Sequence, residues 1–323
     1  MKTTLIILSA ATIFCLGSCK KSDTTPDPVS IPPRPDTLSA GWKKITLDTT
    51  NLFADIYFAN NTTGYLAGSK TYKTTDGGLT WNVISNLQFA NIAVTNDGKV
   101  FFAGNGSAVY KSTDGGATLI NTNVPTTQGY DIFFADNLNG YFVSSSGLFN
   151  TTDGGITWNA VNPPSLHIGT GYTSLFFTAA NTGIVVGQGG VYKVNGSLQT
   201  WTTPGTFTPA GSSYFYSASI TPNNNIYIVN PSAQVYKSTD NGISFSLIKE
   251  ITYLDGYVYN DIHFVDNNTG YISAGKRIYK TTDAGATWNV VVALGERNIG
   301  EIHFTDAGHG WACGSGGTVL VFN

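Results

Sequence analysis

Thr74-Thr75-Asp76-Gly77-Gly78-Leu79-Thr80-Trp81 decides how this chain folds, because the stretch keeps returning. It recurs as Ser112 to Leu119, Thr151 to Trp158, Ser238 to Phe245 and Thr281 to Trp288, with a worn copy from Val194 to Trp201. The acidic or amide positions 76, 114, 153, 195, 240 and 283 step by 38, 39, 42, 45 and 43 residues. A period of about 40 residues is the length of one four-stranded propeller blade.

Working outward, each copy is preceded by the same short runs. The first alternates and is aromatic: Asp55-Ile56-Tyr57-Phe58, Asp131-Ile132-Phe133-Phe134, Asp261-Ile262-His263-Phe264 and Glu301-Ile302-His303-Phe304. The second opens on Gly followed by Tyr or Trp, at Gly64-Tyr65, Gly140-Tyr141, Gly270-Tyr271 and Gly310-Trp311. Short β-rich runs bounded by Asn, Asp and Gly are strands joined by tight turns. A third strand runs into the Asp-containing turn and a fourth leaves it at the Trp position. First strands fall at 52 to 58, 90 to 94, 130 to 134, 173 to 177, 217 to 221, 258 to 264 and 299 to 304, which makes seven units. The seventh stops at Val319-Leu320-Val321-Phe322 without its fourth strand, whereas the run from Gly41 to Leu47 reads as a fourth strand without a unit. The expected fold is all-β: a single seven-bladed β-propeller of four-stranded blades over residues 41–323, closed by the N-terminal strand.

Of 323 residues only 11% are charged, against ~25% in an ordinary soluble domain, while 41% are hydrophobic, so the chain has a core but few long charged helices. Arg34, Arg277 and Arg297 are its only arginines, and Lys+Arg (17) are outnumbered by Asp+Glu (20), which excludes a nucleic-acid footprint. Residues 1–18 carry Lys2, an apolar run from Leu5 to Leu16 and then Gly17-Ser18, too short for a bilayer span. Leu16-Gly17-Ser18-Cys19 resembles a bacterial lipobox, which implies a signal peptide removed before Cys19 and lipidation of that cysteine. Residues 19–40, rich in Pro, Ser, Thr and Asp, read as a disordered tether. Lys20 replaces the Asp of the enteric inner-membrane retention signal, so the expected location is the outer membrane, facing either the periplasm or the outside. Asp23-Thr24-Thr25 and Asp36-Thr37-Leu38 resemble the O-glycosylation triplet of exported Bacteroidetes proteins. Cys313 is expected to be a buried small hydrophobe, and the mature chain to have no disulfide.

The recurring turn is similar to the Asp-box, or BNR repeat, of sialidases and related propellers. The resemblance implies a structural role for Asp76, Trp81, Asp114, Asp153, Trp158, Trp201, Asp240, Asp283 and Trp288. The carboxylate should bind turn amides, and the aromatic should plug the adjacent seam. A sialidase would need three arginines around its substrate carboxylate, and the domain has two. Xyloglucanases with this repeat work between two rings, and this chain has one. The first-strand acid, the Gly-Tyr/Trp strand and T-T-D-G-G-x-T-W together most resemble the photosystem II stability and assembly factor-like subgroup. That resemblance implies a binding or assembly scaffold, although the Arg-rich face of that subgroup is missing here.

Two candidate sites follow. The acids heading first strands, Asp55, Asp131, Asp261 and Glu301, with Asn91, Ser174 and Ser219 in the other blades, should ring the mouth of the central channel. They either tie down their own loops or receive a ligand. The second site comes from loop lengths. The connections from 158 to 174, 201 to 219 and 245 to 261 take 16, 18 and 16 residues, against 10 to 13 elsewhere. These adjacent long connections lie on the face opposite the Asp-boxes and carry His167, Tyr172, Tyr214, Phe215, Tyr216, Tyr253, Asp255, Tyr257 and Tyr259, suited to a glycan or an envelope protein. The function expected is a non-catalytic, monomeric envelope scaffold that touches membrane only through its lipid. The alternative is a divergent glycan-active hydrolase using carboxylates at this top face. The four histidines show no metal-finger spacing, and no nucleotide motif is present, so no cofactor or metal is expected.

Overall fold

The computed structural model describes residues 34–104, 109–124, 128–161, 172–179, 182–187, 190–195, 200–202, 214–232, 234–251 and 259–323. Among these residues every regular element is a strand, and the strands make seven antiparallel sheets, five of which follow chain order from the axis outward while blades six and seven take their outermost strand from the N-terminal segment. Blade one consists of Asp55–Phe58, Gly64–Ala67, Thr71–Thr74 and Asn82–Ser85. Blade seven takes Ile299–Asp306, His309–Gly314 and Thr318–Phe322 from the C-terminus and Trp42–Thr46 from the N-terminus. The last pair runs in register from Trp42↔Phe322 to Thr46↔Thr318. The expected propeller and its closure by the N-terminal strand are both present.

The propeller begins earlier than expected. Its compact unit starts at Arg34 rather than at residue 41. Thr37–Leu38 pairs with the outer strand of blade six, Asn289–Ala293, and Asp36 accepts hydrogen bonds from the Gly295 amide at 2.9 Å and from Lys44 Nζ at 2.7 Å. An outer blade edge offers unpaired amides and carbonyls, and Leu38 adds an apolar contact with the cluster between blades six and seven. Residues 34–40 therefore belong to the propeller and not to the tether.

The Gly-aromatic dipeptide explains how blades stack. Gly64 faces Phe58 across the first two strands, and a Cβ at Gly64 would lie 2.5 Å from the Phe58 ring. The vacant space lets Phe58 lie flat on Trp311 of blade seven, with centroids 3.5 Å apart and planes 6° from parallel. The same exchange places Phe134 on Phe101, Phe264 on Tyr227 and Phe304 on Tyr271, at 4.1, 3.8 and 4.0 Å. Three of the stacks bury both rings at a seam, worth about 1.5–3 kcal/mol per ring, while Phe134 is partly buried on Phe101.

The Asp-box turns cap the third strands on one face. In the first, Thr74 donates to Asp76 at 2.8 Å, the Thr80 amide and hydroxyl donate to it at 2.9 and 2.6 Å, and Trp81 Nε1 returns to Gly78 O at 2.9 Å. Gly77 and Gly78 follow with φ of +75° and +88°, a conformation that disfavours side chains. Asp114, Asp153, Asp240 and Asp283 repeat the pattern. Trp158 and Trp288 set their edges against Phe134 and Phe264, whereas the Trp201 side chain lies outside the described residues.

Candidate functional site at the centre of the ring

First strands line the axis, so their alternation decides what faces it. The four acids head these strands, and in blades three, four, six and seven the pairing register slips at or just before the head residue. Such bulges re-aim the side chain that follows. Asp131, Asp261 and Glu301, with Asp55 from the regular first strand of blade one, meet around one central cavity of about 350 Å³.

The acids act first as clasps between blades. Asp55 accepts the Ile92 amide of blade two at 2.6 Å. Asp131 accepts its own neighbour's amide, Ile132, and that of Leu175 in blade four, both at 2.8 Å. Asp261 accepts the Ile262 amide at 2.8 Å, the Ser217 hydroxyl of blade five at 2.6 Å and the Ile302 amide of blade seven at 3.1 Å. The Glu301 carboxyl donates to Asp261 as well. Blade one meets blade seven differently, through His303 Nε2 donating to Phe58 O at 3.1 Å.

The registers correct one equivalence. Ser217 pairs with Val229 as Asp55 pairs with Ala67, so the head residue of blade five is Ser217 and not Ser219. Ser219 stands two residues on, at the position of Tyr57, Phe133, Phe176, His263 and His303, and accepts the Phe264 amide at 2.9 Å. These residues form a second tier, about 7 Å further along the strands at ~3.3 Å per residue. His263 and His303 are neighbours there, with ring centroids 5.6 Å apart, and Tyr57 lies 4.5 Å from His303.

The carboxyls touch the cavity, yet they sit deep in the ring and far from bulk water. Burial pushes Asp55 and Asp131 up to about 7 against the pull of their amide donors, and repulsion adds to the effect, from Asp131 and Asp261 at Asp55 and from Asp261 at Asp131. Burial, then the Asp261 charge, raises Glu301 well above the carboxylate range. Burial also lowers His303 to about 3 and shifts His263 down, so both imidazoles are neutral. The cavity wall carries acids and neutral acceptors but no Lys or Arg among the described residues.

Of the long-connection aromatics, Tyr214 and Tyr216 form an edge-to-face pair with centroids 5.0 Å apart, and Tyr216 reaches the cavity wall beside Tyr130. Phe215 turns the other way. It is fully buried, edge-on to Tyr236 between blades four and five, so it belongs to the core and not to a binding surface. His167, Tyr253, Asp255 and Tyr257 lie outside the described residues, as do Cys19 and the side chains of Tyr172 and Tyr259. Cys313 is wholly buried and its thiol is pushed up by that burial. Sequence reasoning did not pick Tyr57, Tyr130 or Ser217 for the site. The available signal was alternation, since the residue two after each strand head shares its face.

Residues 199–323 match the family model of the photosynthesis system II assembly factor YCF48. The resemblance drawn from the repeat thus holds over the last three blades. Among solved structures, one described as YCF48 bound to D1 peptide is 19% identical, with a TM-score of 0.72, covering 87% of this chain and 96% of that one. YCF48 from Cyanidioschyzon merolae is 23% identical, with a TM-score of 0.70 over 88% and 99% of the two chains. A GH74 xyloglucanase from Xanthomonas campestris also superposes, at 15% identity and a TM-score of 0.70, but this chain spans only 52% of it. At these identities the structures show a shared fold. No curated protein sequence matches the chain.

Proposed function

We propose that the protein is a non-catalytic scaffold of the cell envelope, anchored through lipidated Cys19, that holds a peptide segment of a partner protein on the face opposite the Asp-boxes. The observation that carries this reading is the Tyr214–Tyr216 pair beside Tyr130 at the central cavity. It offers broad aromatic surface with polar tips at a low cost in side-chain entropy. The peptide-bound YCF48 structure supports the choice of a protein partner, because it shares this fold. The hydrolase alternative needs a carboxylate pair free to meet a glycosidic oxygen. Asp131 and Asp261 have both oxygens engaged by amides and hydroxyls, which favours the scaffold.

The test is a peptide array and a glycan array probed in parallel, each hit being measured again with Tyr214→Ala/Tyr216→Ala and assayed for turnover. Peptide hits weakened about tenfold or more by the double substitution are expected. Hits confined to glycans, hits unaffected by the substitution, or cleavage of a bound glycan would sink the reading. Mass spectrometry of the membrane fraction should find a diacylglyceryl-modified Cys19, and an unmodified cysteine would remove the anchor.

A further inference from the structure

The central cavity has a donor–acceptor balance that the scaffold reading does not use. Every titratable or charged group on its wall is an acid, a phenol or a neutral imidazole: Asp55, Asp131, Asp261 and Glu301 at the strand heads, Tyr57, His263 and His303 in the second tier, and Tyr130 and Tyr216 at the rim. His303 donates its Nε2 hydrogen to Phe58 O, which leaves Nδ1 as an acceptor, and His263 is likewise bonded to the Phe304 backbone. The half-buried Tyr57 lines the same space, and its hydroxyl meets no partner among the described residues. Tyr57, Phe133 and Phe176 contribute aromatic rings to the wall, Phe133 and Phe176 standing 5.3 Å apart. Among the described residues the wall therefore offers acceptors and aromatic rings without a Lys or Arg to meet them.

We propose that the cavity binds a primary alkylammonium group, its N–H donors directed to the strand-head carboxyls and the Tyr57 oxygen and its methylene chain lying along Tyr57, Phe133 and Phe176. An ammonium is a donor without acceptor capacity, the complement of this wall, and aromatic faces attract cations. A bare metal ion fits less well. No three His, Cys, Asp or Glu groups among the described residues are arranged to hold one. A cation entering this space also favours the ionised carboxyls, so binding should release protons from Asp55 and Asp131, both raised to about 7. The group could come from a lysine side chain or from a free polyamine. The proposal does not rest on the Tyr214–Tyr216 docking surface.

Calorimetric titration of the purified full chain at pH 6.5 tests it, with spermidine and Nα-acetyl-lysine methylamide as probes and calcium chloride and xylitol as controls. At least one ammonium probe is expected to bind below about 1 mM, with a heat that varies with the ionisation enthalpy of the buffer. Tighter binding of spermidine identifies a polyamine site, and equal or tighter binding of the lysine derivative identifies a side-chain site. Asp55→Asn/Asp131→Asn should weaken either probe about tenfold and abolish the buffer dependence. Tyr57→Leu lies outside the clasps and should weaken binding in a protein of unchanged melting profile, so it decides the matter if the double variant does not fold. Absence of ammonium binding, binding of only calcium or xylitol, or an affinity unchanged in the folded variants would overturn the proposal.

Discussion

The Asp-box face and the inner rim are built from the same residue in the same repeating blades, and they hold it in opposite states. At the boxes Asp76, Asp114, Asp240 and Asp283 lie in water, and hydroxyl and amide donors from the residue four positions on hold them down to about 2. At the rim Asp55 and Asp131 also accept amides, yet burial lifts them to about 7. Hydrogen bonds lower the pKa of the carboxylate on both faces, but at the rim desolvation outweighs them, whereas at the boxes water supplies the rest of the solvation. A repeated acid therefore has no fixed role. Its depth in the ring assigns one.

The largest expected effect comes from titrating the rim. Between about pH 4 and pH 7 the folded Asp55 and Asp131 hold protons that the unfolded chain has lost, so the stability these two carboxyls contribute is complete below pH 4 and is lost as pH rises to about 7. Buried His303, neutral down to about 3, acts in the opposite sense below pH 6.5, so the acids are read from the difference between the wild type and a variant lacking them. The fall is at most on the order of 3–4 kcal/mol per carboxyl. Asp55→Asn/Asp131→Asn removes both titrating groups and should flatten that limb of the urea-midpoint curve, while the single amide oxygen at position 131 serves only one of the Ile132 and Leu175 amides and lowers the midpoint at pH 4. Parallel pH curves for the two proteins would break the comparison.

A smaller effect separates single residues. Asp261→Ala strands the Ile302 amide, the Ser217 hydroxyl and Glu301 in the interior and should cost about 3 kcal/mol. The same change at Asp76 releases its donors to water and should cost about 1 kcal/mol. Denaturation of both variants at pH 7 checks the ratio, and equal losses would mean that burial is not what distinguishes the two faces.

The smallest effect has the opposite sign from the first. Box carboxylates are depressed in the folded state, so the stability they contribute is complete above about pH 4 and is lost as pH falls through about 2. Asp76→Asn should remove one share of this acid limb and leave the limb between pH 4 and 7 untouched. A change above pH 5 would show that the boxes and the rim are coupled.

Much of this contrast could be anticipated, and its limits are instructive. The four rim acids were legible because an acid recurs at the head of an alternating aromatic strand. Blade five has no acid to mark its register, and its two serines share one face, so Ser217 and Ser219 could only be told apart by the pairing with Val229. Alternation also separates Tyr214 and Tyr216 from Phe215, but an aromatic cluster in a long connection looks uniform until one of its members is seen inside the core. The early start at Arg34 was hidden in a polar segment, where Asp36 and Leu38 alone mark the docking to blade six.

The sequence by itself determined the number of blades, their closure and the seam chemistry, because strand, turn and Gly-Phe complementarity act over a few tens of residues and repeat. What only the tertiary structure decided is the charge on the rim. Asp55, Asp131, Asp261 and Glu301 come from four blades, and no local window contains the low-dielectric space they share. Desolvation and mutual repulsion depend on how closely distant segments enclose them, and that distance exists only once the ring has closed.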